Sequence, residues 1–90
     1  MSVNNRGAHP RRSLADLRRG QEAVLERIDL PTDLADRLME LGFVPGMLIA
    51  AGHSAPGGDP CVFRLDGTEI ALRRETARHL WVGASGRDHP

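Results

Sequence analysis

A chain of 90 residues has room for one small domain with a modest core, and its stability should be correspondingly small. Its 12 basic and 12 acidic side chains cancel, which argues against a protein whose main task is to neutralise a nucleic-acid backbone. The most apolar stretch, residues 47–51, falls far short of the roughly 20 residues that span a bilayer as a helix. The single cysteine, Cys61, allows neither an internal disulfide nor a Cys-x-x-Cys pair for zinc or redox chemistry.

Residues 1–12 are polar and rich in Asn, Arg, Gly and Pro, and no apolar run follows Arg11-Arg12. They read as a disordered lead rather than a secretory signal, so the chain is expected to be cytoplasmic. Every residue counted as Lys or Arg is an arginine, a bias that a GC-rich genome explains. The clusters Arg11-Arg12, Arg18-Arg19 and Arg73-Arg74 with Arg78 would suit an acidic partner, although solvated surface charge is the commoner reason for such pairs.

Ser13-Leu14-Ala15-Asp16-Leu17 predicts a helical turn or a short extended segment anchored by Leu14 and Leu17, and residues 18–21 turn the chain. A strand is expected over residues 22–28, with Ala23 and Leu25 on one face and Val24 and Ile28 on the other, so that both faces are partly covered. Pro31 and Thr32 open a helix in which Thr32 is the expected N-cap and Asp33 lies near the positive end of the dipole. Leu34, Leu38 and Leu41, with Ala35 beside them, form the stripe predicted to be buried, opposite Asp33, Asp36, Arg37 and Glu40. Gly42 supplies the left-handed residue that closes a helix, and Pro45-Gly46 suits a type II turn. Met39, Phe43 and Val44 flank the stripe, either as a cap on the core or as an apolar contact surface.

A strand over residues 47–53 follows, then residues 54–60, whose two glycines and two prolines are expected to exclude regular structure. Asp66-Gly67 is a two-residue hairpin turn of type I′ between strands at 61–65 and 68–72. Its register sets Leu65 opposite Thr68, Phe63 opposite Ile70 and Cys61 opposite Leu72. The other face pairs Arg64 with Glu69 and Val62 with Ala71. Residues 74–79 predict one helical turn, residues 80–82 a final strand, and residues 83–90 a flexible tail. Five short strands with one inserted helix suggest a closed or nearly closed barrel, and the pattern alone permits either an SH3-like or an OB-like arrangement.

Little in the chain suits catalysis. Cys61 faces the predicted core, where a small buried thiol is ordinary. His53, Asp59, Cys61 and His79 are the candidates for a transition metal, but their spacing matches no standard site. No cofactor is expected, and at most weak transition-metal binding. Pro56-Gly57-Gly58 is followed by a strand rather than a helix, which excludes a phosphate-binding loop. A small-barrel nucleic-acid binder is the alternative class; it would need surface aromatics for base stacking, and the sequence has no tyrosine, two phenylalanines and one tryptophan.

Four segments together resemble the FeoA family: Leu-x-x-Leu-x-x-Gly from Leu14 to Gly20, Arg37-Leu38-Met39-Glu40-Leu41-Gly42-Phe43-Val44-Pro45-Gly46, Ala55-Pro56-Gly57-Gly58-Asp59-Pro60, and Glu69-Ile70-Ala71-Leu72-Arg73-Arg74-Glu75-Thr76-Ala77. The resemblance implies an SH3-like barrel of about five strands over residues 13–82, mainly β, with one inserted α-helix and a short C-terminal helical turn. It also implies a non-enzymatic accessory or regulatory protein of bacterial ferrous iron uptake. Such a protein docks on the cytoplasmic side of the FeoB transporter and meets the membrane only through that partner. Similar domains occur at the C-terminus of DtxR-like metal-dependent repressors, so a metalloregulator-associated module is the alternative. The helix-turn-helix and dimerisation segments of those repressors are not seen, and a free-standing protein is expected. On this reading Met39, Phe43 and Val44 are the partner-binding anchors, and Arg73 and Arg74 steer the encounter.

Overall fold

The computed structural model describes residues 12–84. Six strands and two helices follow in order: β1 (Arg12–Ser13), β2 (Glu22–Ile28), α1 (Thr32–Leu41), β3 (Leu48–Ser54), β4 (Cys61–Leu65), β5 (Thr68–Leu72), α2 (Arg74–Ala77) and β6 (Leu80–Ala84). Strands β2 to β5 form an antiparallel meander, and β6 returns to pair with β2 on the side away from β3, with β1 outside it.

That return forces the sheet to curl. In a flat sheet β5 and β6 would stand four strand spacings apart, roughly 19 Å. The connection over residues 73–79 is wound into α2 and a turn closed by the His79 N–H donating to the Thr76 carbonyl, so its reach is only about 16 Å. The curl places α2 against the 3-10 turn Leu14–Asp16 that follows β1. The two outer strands of the sheet are thereby brought round toward each other, as in a small barrel.

Alternation along the strands fills the interior. Ala23 and Leu25 of β2, Ile49 and Ala51 of β3, Cys61, Phe63 and Leu65 of β4, Leu72 of β5, and Leu80 and Val82 of β6 are all buried, as side chains two residues apart on one face must be. Leu14, Ala77, Leu38 and Phe43 close the ends of this cluster. The rings of Phe43 and Phe63 meet edge to face, with centroids 6.5 Å apart and planes at 84°, an arrangement that aromatic quadrupoles favour.

The hairpin adopts the expected register at all five pairs from Cys61↔Leu72 to Leu65↔Thr68. Asp66 and Gly67 both take positive φ, 50° and 85°, and Arg64 and Glu69 form an exposed ion pair at 2.9 Å. At the end of α1, Gly42 sits at φ 114°. The Gly42 N–H donates to the Met39 carbonyl and the Phe43 N–H to the Leu38 carbonyl, each at 3.0 Å. This is a Schellman closure, and its usual apolar contact is supplied by Leu38 and Phe43, both in the core.

Several expectations are corrected. The sheet has six strands, because the two residues of β1 join β6 through Arg12↔Val82 and Ser13↔Trp81. Ser13 caps the 3-10 turn reciprocally with Asp16, whose carboxylate accepts the Ser13 backbone N–H at 2.9 Å. Arg12, Gly83 and Ala84 are therefore strand residues, not lead or tail; the rest of residues 1–12 and 83–90 lies outside the described residues. The third strand begins at Leu48 rather than at 47. Pro31, not Thr32, stands at the N-cap of α1, with no side-chain cap. A 3-10 turn at Pro56–Gly58 interrupts the segment expected to be irregular. Finally, Leu38 is the one buried residue of α1, while Leu34 and Leu41 are 47% and 48% exposed. The reason is topological. α1 is an excursion between β2 and β3, which pair with each other, so it sits off the end of a hairpin and lies flat on no face of the sheet.

Candidate protein-interaction surface

The apolar surface grows out of that placement. Five large hydrophobic residues are exposed among the described residues: Leu34, Met39, Leu41, Val44 and Leu48. All fall between the first turn of α1 and the first residue of β3. Leu34 and Leu41 share the face of α1 that carries Leu38, so the predicted buried stripe is buried at its middle and open at both ends. Met39 and Val44 are exposed as a contact surface requires. Phe43 is not: with no exposed area, it is withdrawn from the partner-binding set and belongs to the core.

Electrostatics frame this surface on one side. Asp33, Asp36 and Glu40 are exposed along α1 against Arg37 alone, giving its polar side an acidic excess. Arg73 and Arg74 lie elsewhere, at the N-cap and first residue of α2. Both are exposed, and the Arg74 backbone N–H donates to the Asp59 carboxylate at 2.9 Å.

The four metal candidates do not converge. His53 and His79 are exposed, the Asp59 carboxylate holds the start of α2, and buried Cys61 donates its S–H to the Gly58 carbonyl at 3.4 Å. Among the described residues no group of three His, Cys, Asp or Glu side chains is placed to hold an ion. No helix among them is long and apolar enough to cross a membrane.

Leu34 and Leu41 were missed as surface residues by periodicity, which reports that a face is apolar and not whether anything covers it. The available signal was the order of elements: a single helix between two strands that pair directly has no second layer to lie on.

The FeoA domain family matches residues 12–84. The chain belongs to the FeoA family. A curated relative, the Fe(2+) transport protein A/Fe(2+) transporter FeoB fusion protein of Porphyromonas gingivalis, is 35% identical over 69 residues, covering 77% of this chain and 8% of the relative. The chain thus spans less than a tenth of that relative's length. The solution structure of iron(II) transport protein A from Clostridium thermocellum superposes with a TM-score of 0.77 at 34% identity, over 82% of this chain and 46% of that one. The crystal structure of Stenotrophomonas maltophilia FeoA complexed with zinc, described as a prokaryotic SH3 domain protein, gives a TM-score of 0.69 at 35% identity over 79% and 88% of the two chains. The fold of this FeoA domain is accordingly SH3-like and mainly β. Sequence pattern alone had left the OB-like arrangement open.

Proposed function

We propose that this FeoA domain is a non-enzymatic accessory or regulatory protein of bacterial ferrous iron uptake, acting in the cytoplasm by docking on a FeoB transporter. The observation that carries the reading is the Porphyromonas gingivalis protein, in which a FeoA segment similar to this chain is joined to FeoB. Covalent linkage keeps two partners at high effective concentration, which is useful when they act together.

The docking surface on this reading is the exposed apolar stretch, with Met39 and Val44 as anchors and Leu34, Leu41 and Leu48 extending it. Isolated exposed apolar residues are ordinary, but a run of five from one excursion of the chain is what a contact surface supplies. The acidic side of α1 suits a membrane protein's cytoplasmic loops, which carry an excess of Lys and Arg. Arg73 and Arg74 act at longer range, on rate and orientation more than on affinity.

No catalytic step, cofactor or resident metal is assigned. Cys61 is buried against the Gly58 carbonyl, with no base in hydrogen-bond contact among the described residues, and a nucleophile needs one beside it. The deciding experiment is co-purification of the tagged protein with detergent-solubilised FeoB of the same organism. Stoichiometric recovery of FeoB is expected. Failure to recover it, together with salt-dependent retention on single-stranded nucleic acid, would replace this reading with the nucleic-acid one.

A further inference from the structure

A pocket of about 310 Å³ opens where the turn before β2, strands β3 and β4, and the start of α2 come together. Arg18, Arg19 and Arg74 line it, and no lining residue is acidic. Leu17 and Val62, both half-buried, give it an apolar floor over buried Phe63. Arginines from distant parts of the sequence are thus collected by the curl of the sheet at one concave site.

Three carboxylates on the surrounding elements are engaged elsewhere. Asp16 accepts the Ser13 backbone N–H and hydroxyl. Asp59 accepts the backbone N–H of Arg74, not its guanidinium. Glu69 pairs with Arg64 on the outer face of the hairpin. Arg18, Arg19 and Arg74 form no ion pair among the described residues. The Arg74 guanidinium rests beside the 3-10 turn at Pro56–Gly58, its Nη1 3.8 Å from where a Gly58 Cβ would stand. Its anchor point is held as well, through the Asp59 bond to the first turn of α2.

Guanidinium groups grouped this way recognise carboxylate or phosphate through paired N–H donors. The floor selects between them. A bare phosphate would leave Leu17 and Val62 in water, whereas a peptide bearing a carboxylate beside an aliphatic side chain covers both halves of the pocket. Its volume is at the lower end of ligand sites, which fits a few side chains of a protein segment.

We propose that this pocket receives an acidic, aliphatic peptide segment of a partner protein, with a carboxylate held by Arg18, Arg19 and Arg74 and the neighbouring aliphatic side chain on Leu17 and Val62. The site is separate from the apolar stretch of α1 and does not depend on FeoB being the partner.

The test is titration of the isotopically labelled protein, followed by amide chemical shifts, with an acetylated hexapeptide alternating glutamate and leucine. Parallel titrations use the same peptide with lysine for glutamate, the same peptide with serine for leucine, and inorganic phosphate. Shifts from the glutamate–leucine peptide should centre on Arg18, Arg19, Val62 and Arg74. Binding should weaken at least tenfold in Arg74→Ala and in the Arg18→Ala/Arg19→Ala variant. Arg74→Lys, which keeps the charge and loses the fork, should weaken it several-fold. All three residues are exposed and the Asp59 bond uses backbone, so these variants should keep native spectra elsewhere. Equal response to the lysine peptide, native binding by folded Arg variants, or a phosphate response as tight as that of the peptide would each overturn the proposal; the last would leave only a bare-anion site. FeoB is absent from every arm, so loss of FeoB docking and loss of this site are read separately.

Discussion

Replacing Met39 by Gln and Val44 by Thr together tests the docking surface at the two positions where burial and function part company. Met39 is 39% and Val44 40% exposed. Full burial of such a side chain is worth about 1.5–3 kcal/mol; covering the two-fifths still in water would yield roughly 0.6–1.2 kcal/mol each. Losing both should weaken FeoB binding by roughly 10- to 50-fold. Folding should change by less than about 1 kcal/mol, because neither side chain belongs to the buried core and Gln and Thr keep most of the volume they replace. The local backbone is independent of these side chains: the Val44 N–H donates to the Gly42 carbonyl, and the Met47 N–H to the Val44 carbonyl. Interferometry on FeoB in lipid nanodiscs reads the affinity, and urea titration reads the stability. A double variant with native stability that binds within twofold of the parent refutes the assignment and moves attention to Arg73 and Arg74.

Arg73→Ala and Arg74→Ala should weaken FeoB binding less than the apolar pair, with an effect that fades between 50 and 500 mM salt, at roughly the rate screening predicts; a salt-independent loss would mean a dry contact instead. Phe63→Ala should cost about 3–5 kcal/mol, enough to unfold most of a domain this small, because its ring is 1% exposed and packed on Phe43. A urea-measured loss below about 1 kcal/mol would contradict that enclosure. Gly42→Ala should cost about 1–3 kcal/mol although nothing lies within 4 Å of the added methyl, since the penalty is in φ 114° itself. An unchanged melting temperature would show that the helix end relaxes freely. His53→Ala and Cys61→Ala should leave zinc and ferrous-iron calorimetry unaltered; a one-to-one sub-micromolar site lost in Cys61→Ala would make this a metal protein.

Legibility tracked how local the determining forces are. The hairpin from Cys61 to Leu72 was readable pair by pair because Asp66-Gly67 fixes both the turn and the register. The closure at Gly42 was readable for the same reason, being set within six residues. The exposure of Leu34 and Leu41 was not, since it depends on where α1 sits relative to strands remote in sequence. Phe43 failed in the opposite direction: beside an exposed pair in sequence, it turns inward because the Schellman closure aims it at Leu38 and Phe63. β1 is two residues long and exists only as a partner of β6, so neither composition nor alternation could announce it. The meeting of Arg18 and Arg19 with Arg74 is a product of sheet curvature alone.

The pairing of Arg12 with Val82 also governs how this fold can be combined with others. β1 and β6 are antiparallel neighbours, so the chain arrives and departs at the same end of one strand pair, within about 5 Å of lateral separation. A polypeptide can therefore run into the barrel and out again almost at the point of arrival, and a host chain can carry the whole unit as a side branch without stretching either junction.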